Sequence, residues 1–257
     1  MTRDQKLVAY MTICRKEVIR FMRIWLQTVL PPVITTSLYF IIFGGLIGRQ
    51  IHDMDGVRYM DFIVPGLIMM SVISNSYSNV VSSFYSAKFQ RSVEEILVSP
   101  TPNWVVLSGF VTGGVARGLV VGVAVTVVSL FFSHLHVYNA WVSVSVVLLT
   151  SVLFSLGGFI NSVFARNFDD ITIVPTFVLT PLTYLGGIFY SIQMLPAFWR
   201  RVSLVNPILY MINAFRYGFL GITDINLYLS YGIIICFILV LAAVSLYLLE
   251  RGYGMRT

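Results

Sequence analysis

Apolar residues run along this chain in six stretches, each about the 20 residues a helix needs to cross a bilayer, and nearly every charge falls between them. The stretches lie near 31–48, 62–86, 104–132, 140–163, 171–189 and 227–249. Backbone groups in hydrocarbon must bond internally, so the pattern predicts six transmembrane helices and an all-α integral membrane protein. Ahead of them, Leu7, Met11, Cys14, Val18, Phe21 and Trp25 recur every three or four residues. That spacing predicts an amphipathic interfacial helix over 5–29, with Lys16, Arg20 and Arg23 on another face, toward anionic headgroups. Pro31-Pro32 would end this helix and begin the first span, since proline suits a first turn and breaks an interior.

Between spans five and six, Pro207 to Leu220 is apolar but too short to cross. It reads as a re-entrant or interfacial segment, with Phe198, Trp199, Tyr210, Phe215 and Tyr217 suited to the headgroup level. Residues 1–257 thus form a single membrane domain. It divides into an interfacial helix (1–30), five spans (31–189), an outer segment (190–226) and a last span (227–249).

Composition agrees: 57% of residues are hydrophobic and 11% charged, and mean hydropathy is +0.84. A soluble domain carries about 25% charged residues. The formal charge of +6 is a topology signal rather than a nucleic-acid footprint. With the N-terminus inside, Arg3, Lys6, Arg15, Lys16, Arg20, Arg23, Lys88, Arg91, Arg166, Arg251 and Arg256 fall on the inner side. Arg49, Arg58, Arg200, Arg201 and Arg216 fall outside. The asymmetry puts both termini in the cytoplasm. Cys14 and Cys236 lie too far apart in this topology to pair.

Chemistry within the spans is sparse. Span two starts at Asp61, a candidate N-cap, and carries Ser71, Asn75, Asn79, Ser82 and Ser86 on one stripe. Such a stripe either lines a passage or bonds to a neighbouring helix, and both readings stand. Gly109, Gly113, Gly114, Gly118 and Gly122 let span three pack closely. Arg117 lies on the same helix and is read as snorkelling to the inner interface. Pro175 and Pro181 interrupt span five and mark it as a kinked, pathway-facing element.

There is no G-x-x-x-x-G-K-[ST] sequence to cradle nucleotide phosphates, no H-E-x-x-H and no G-x-S-x-G. His134 and His136 have no further ligands nearby, and no metal site is expected. Asp169-Asp170 reads as the N-cap and first-turn charge of the fifth helix. All 11 carboxylates lie between spans or at their ends, which disfavours a carrier driven by protons or sodium. Uphill movement would need a partner as its source of energy.

The loop after span two supplies a docking candidate. Phe89, Val93, Ile96 and Leu97 form an apolar helical stripe, Arg91, Glu94 and Glu95 are charged, and Pro100 and Pro102 end the helix. QRSVEEILVSPTPNW (90–104) resembles the first cytoplasmic loop of the type-2 ATP-binding-cassette (ABC) exporter permeases. LTYLGGIFYSIQMLPAFWRRVSLVNPILYMINAFRYGFLG (182–221) resembles their C-terminal signature.

The resemblance implies a half-transporter of the bacterial inner membrane: a second copy of this chain and two copies of a separate ABC-type ATPase. ATP and magnesium would belong to that ATPase and no cofactor to this chain. It further implies that the basic N-terminal helix is a connecting helix (Lys16, Arg20, Arg23). Arg91, Glu94, Glu95, Ile96, Leu97 and Pro100 would form a coupling helix, with Arg166, Asp169 and Asp170 as a second cytoplasmic contact. Trp199, Tyr210 and Arg216 would belong to outer helices that close the exit. Ser71, Asn75, Asn79, Ser82, Pro175 and Pro181 are the candidates for lining the path of an amphiphilic cargo. The alternatives are a partner-independent carrier, scramblase or channel, and a membrane enzyme, for which a polar catalytic constellation is lacking.

Overall fold

A computed structural model describes residues 1–48, 54, 56–133 and 137–254, and only the backbone of Leu46, Ile47, Ile96 and Leu97. His134, His136, Arg49, Asp53, Asp55 and Arg256 lie outside the described residues. The described chain is helical, apart from one isolated bridge between Met54 and Val57.

Helix α1 (Arg3–Arg23) opens on a capping box in which the Thr2 and Gln5 side chains exchange bonds with each other's backbone. It ends at Ile24, and α2 (Trp25–Tyr39) follows at once and runs on as a π-helical stretch, Phe40–Ile47. The break therefore falls before Pro31-Pro32, which lie inside α2 rather than at its start. The Thr28 hydroxyl, one turn earlier, bonds the Ile24 carbonyl where α2 begins.

Helix α3 (Tyr59–Phe89) is the centre of the molecule and packs on α5 (Asn103–Ser129) and α6 (Ala140–Phe164). It starts two residues before Asp61, which does not cap it; Asp61 instead accepts a hydrogen bond from Ser133 after α5. The short α4 (Ser92–Val98) joins α3 to α5. After α6 come three consecutive five-residue pieces: α7 (Asp170–Val174), a π-helical stretch (Pro175–Leu179) and α8 (Thr180–Tyr184). Then come α9 (Ala197–Val205), α10 (Pro207–Leu220) and α11 (Leu227–Arg251). Asn206 caps α10 ahead of Pro207, and Gly221, at φ +72°, ends it.

Among the described residues, four helical stretches are long and apolar enough to cross a membrane: Trp25–Gly45, Asn103–Ser129, Ala140–Phe164 and Leu227–Arg251. Two of the six expected spans fall outside that set for different reasons. Helix α3 is long enough at 31 residues but carries many Ser and Asn side chains. It can do so because most of its surface meets protein and not lipid. The 170–184 segment is apolar but short. Helix α10 is buried against α3, α6 and α11, with Tyr210 and Phe215 inside the protein instead of at a headgroup belt, while Phe198 and Trp199 are exposed.

Candidate functional site

At one end of the bundle, two loops distant in sequence are fastened together. Helix α3 ends in a tight turn where Arg91 takes a left-handed conformation, φ 60°, and redirects the chain into α4. Lys88 turns back and donates to the carbonyls of Val163 (2.9 Å) and Ala165 (2.8 Å) at the end of α6. A cation there satisfies carbonyls that the helix leaves unbonded and complements its dipole. Burial pulls the Lys88 ammonium below the ordinary lysine range. Tyr85 donates to the Arg166 carbonyl at 2.8 Å, and the rings of Tyr85 and Phe89 both meet Phe168 edge-on.

The expected coupling residues therefore divide. Arg91, Glu94, Glu95 and Pro100 are exposed, and Arg166 and Asp169 are exposed beside them. Val93 is buried in the core, and Phe89 belongs to α3 and stacks on Phe168, so the expected apolar stripe is not one free face. The side chains of Ile96 and Leu97 lie outside the described residues. In the other loop, Asp169 holds the N-cap position without a side-chain cap bond. Asp170, in the first turn of α7, accepts from the backbone N–H groups of Arg166 (2.8 Å) and Asn167 (3.1 Å) in the loop before the helix.

A second polar cluster lies where α1, α3 and α5 meet. Glu17 is fully buried, accepts from the Ser83 hydroxyl at 2.6 Å and pairs with Arg20 at 3.3 Å. Arg20 also donates to the carbonyl (3.0 Å) and side-chain oxygen (2.8 Å) of Asn79. Among the three basic residues expected at the headgroups, Lys16 and Arg23 are exposed, whereas Arg20 turns inward. The reason is local: Glu17 sits one turn earlier on the same helix, and a buried carboxylate requires a partner. Gly113 permits the approach, because a Cβ there would lie 2.5 Å from that of Glu17. One turn up, Arg117 donates to the Asn75 side chain at 3.2 Å, inside the bundle and not toward the interface. Ser71, another turn up, lies 3.4 Å from Thr36 of α2.

Ser71, Asn75 and Asn79 are thus buried and bonded to neighbouring helices, which favours packing over a lumen for that part of the stripe. The open face of α3 is a different row, Ser74, Ser78, Ser82 and Ser86, of which only Ser82 and Ser86 belonged to the expected stripe. This face is flanked on one side by α2 through Thr36 and on the other by residues 166–170 through Tyr85. The buried and the open row share the same fourfold spacing, so spacing alone did not separate them.

At the other end, Tyr39 of α2 meets Tyr184 of α8 hydroxyl to hydroxyl at 2.8 Å, and Phe43 stacks on Phe189. Pro175 begins a π-helical stretch, and Pro181 is exposed on the helix that follows. Arg216 is fully buried, lies 3.8 Å over the Phe62 ring and donates to the Gly187 carbonyl. Tyr210 is buried and donates to the Leu204 carbonyl, while Trp199 is half exposed.

The described residues thus form a helical bundle with four stretches able to cross a membrane and polar contacts that join α1, α2, α3 and α5. Residues 8–220 match the ABC-2 type transporter family model, and the chain belongs to that family. It is similar to the inner membrane transport permease YadH of Escherichia coli strain K12, at 59% identity over 251 residues, 97% of this chain and 98% of the relative. Nodulation protein J of Rhizobium leguminosarum bv. viciae is 21% identical over 94% of each chain, and that of Rhizobium meliloti 23% over 94% and 93%.

Proposed function

We propose that this chain is the permease subunit of an ATP-driven exporter of the bacterial inner membrane. Two copies would pair with two copies of a separate ABC-type ATPase and export an amphiphilic cargo. The observation that carries this reading is the joined cytoplasmic platform. Glu94, Glu95 and Arg91 stand exposed on α4, which is fixed through α3 to the 166–170 loop. A soluble partner that closes on ATP has there a surface to push, and ATP with magnesium is assigned to that partner, because no phosphate-cradling loop exists in this chain. In this reading both termini are cytoplasmic. The four apolar spans are joined by α3 and the 170–184 segment as spans two and five, and α9–α10 form the re-entrant outer element.

The test is a mild-detergent pull-down of the tagged chain from its host, with native mass measurement. A particle of two chains and two Walker-motif ATPases is expected, and Glu94→Arg with Glu95→Arg should lower ATPase recovery about tenfold. Recovery of the chain alone in several detergents would sink the proposal in favour of a partner-independent carrier, scramblase or channel.

The serine row is the candidate wall of the passage between two copies. In a background of Cys14→Ser and Cys236→Ser, cysteines at Ser74 and Ser78 should react with a membrane-impermeant maleimide. A cysteine at the apolar, exposed Val123 of α5 should not. Equal reactivity at all three positions would remove the row from the passage.

A further inference from the structure

Between the first turns of α1 and the start of α5 lies a groove of about 680 Å³ that neither the family nor the coupling scheme explains. Arg3, Asp4 and Lys6 stand along it with Leu7, Tyr10 and Trp104. Its walls are largely apolar, and Leu7 and Trp104 are both more than half exposed. Val8 and Met11, on the same end of α1, are exposed as well. Tyr10 is held at the groove by its hydroxyl, 2.8 Å from that of Thr112, and the close contact of Ile13 with Gly109 fixes the angle between the two helices.

We propose that this groove is a binding site for one anionic phospholipid of the inner leaflet. Three observations on the site converge. Two cations against one carboxylate leave the groove net positive, complementary to a phosphate headgroup. The apolar wall of Leu7 and Trp104 matches the first carbons of an acyl chain. A tryptophan at the start of a spanning helix marks the headgroup level, where such a lipid sits. The lipid would seat α1 against α5 about two to four turns before the buried Glu17–Arg20 pair. The proposal requires only insertion in a membrane, so it stands or falls separately from the ATPase reading.

The test uses the full chain in nanodiscs with Trp25, Trp141 and Trp199 changed to Phe, leaving Trp104 as the reporter. Brominated phosphatidylglycerol in a phosphatidylcholine background is compared with brominated phosphatidylcholine in a phosphatidylglycerol background. Trp104 should be quenched preferentially by the anionic lipid, and Arg3→Ala or Lys6→Ala should each lower that preference about fivefold. Asp4→Asn should raise it. Arg15→Ala removes one exposed charge of α1 outside the groove and should leave it unchanged. Equal quenching by the two lipids overturns the proposal. So does an equal loss on removing Arg15, which would mean diffuse surface charge. Loss of ATPase recovery from Arg3→Ala with no lipid preference would assign the groove to the protein partner instead. Should the triple Phe variant not assemble, native mass spectrometry of the unaltered chain decides. Retained phosphatidylglycerol must then fall with Arg3→Ala and Lys6→Ala but not with Arg15→Ala.

Discussion

Replacing Glu17 with alanine is expected to destabilise the folded chain by about 3 kcal/mol or more, because it leaves the Arg20 guanidinium in the α1–α3–α5 junction without its counter-charge. Glu17 is fully buried and Arg20 is 29% exposed, so water screens the pair only in part. The Ser83 hydroxyl loses its acceptor at the same time. Glu17→Gln keeps an acceptor for Ser83 and should cost less than Glu17→Ala. Glu17→Met with Arg20→Met removes both charges and should also cost less than Glu17→Ala alone, since the penalty lies in the uncompensated ion and not in the missing pair. Thermal unfolding in nanodiscs measures all three. An unchanged transition for Glu17→Ala would mean that water or another group reaches Arg20, and the junction would lose its proposed weight.

Gly158→Val should remove most folded protein, whereas Gly157→Ala beside it should be tolerated. A Cβ at Gly158 would lie 2.5 Å from the Tyr77 carbonyl oxygen and 3.3 Å from both its carbon and the Val81 nitrogen. These are backbone atoms of α3, so no side chain can swing away and the two helices must part. The cost should reach or exceed the upper end of the about 1–3 kcal/mol typical of overpacked cores. At Gly157 the nearest atoms are the Tyr77 ring carbons at 3.7 and 3.8 Å, an ordinary contact. Monodisperse protein recovered in mild detergent is the readout. Normal yield from Gly158→Val would show that α3 and α6 do not approach as closely as described.

Hydrophobic length was enough to place α5, α6 and α11 within a few residues, because lipid-facing helices must be apolar nearly all round. It was less informative for α3, whose neighbours are protein. There the 71/75/79 row and the 74/78/82 row have the same spacing and lie side by side on the helix. Only packing decides that the first meets α2, α5 and α1 while the second stays open. Pro31-Pro32 misled for a related reason. Local propensity favours proline in a first turn, but the break at Ile24 comes earlier, between α1 and α2, both of which pack on α5. The inward turn of Arg20 has no signature beyond Glu17 one turn before it, a pairing that exposed helices also use.

The bonds from Lys88 to the end of α6 and from Tyr85 to Arg166 have a mechanical consequence. They clamp two pieces of chain about 75 residues apart onto a shared footing. Displacement applied to either piece has no slack to take up before the other moves. In the proposed exporter the bundle would then receive one thrust and not two successive ones, carried by α3, the helix with the open serine face. Damage on the two pieces should for the same reason be non-additive, since either break already uncouples the common footing.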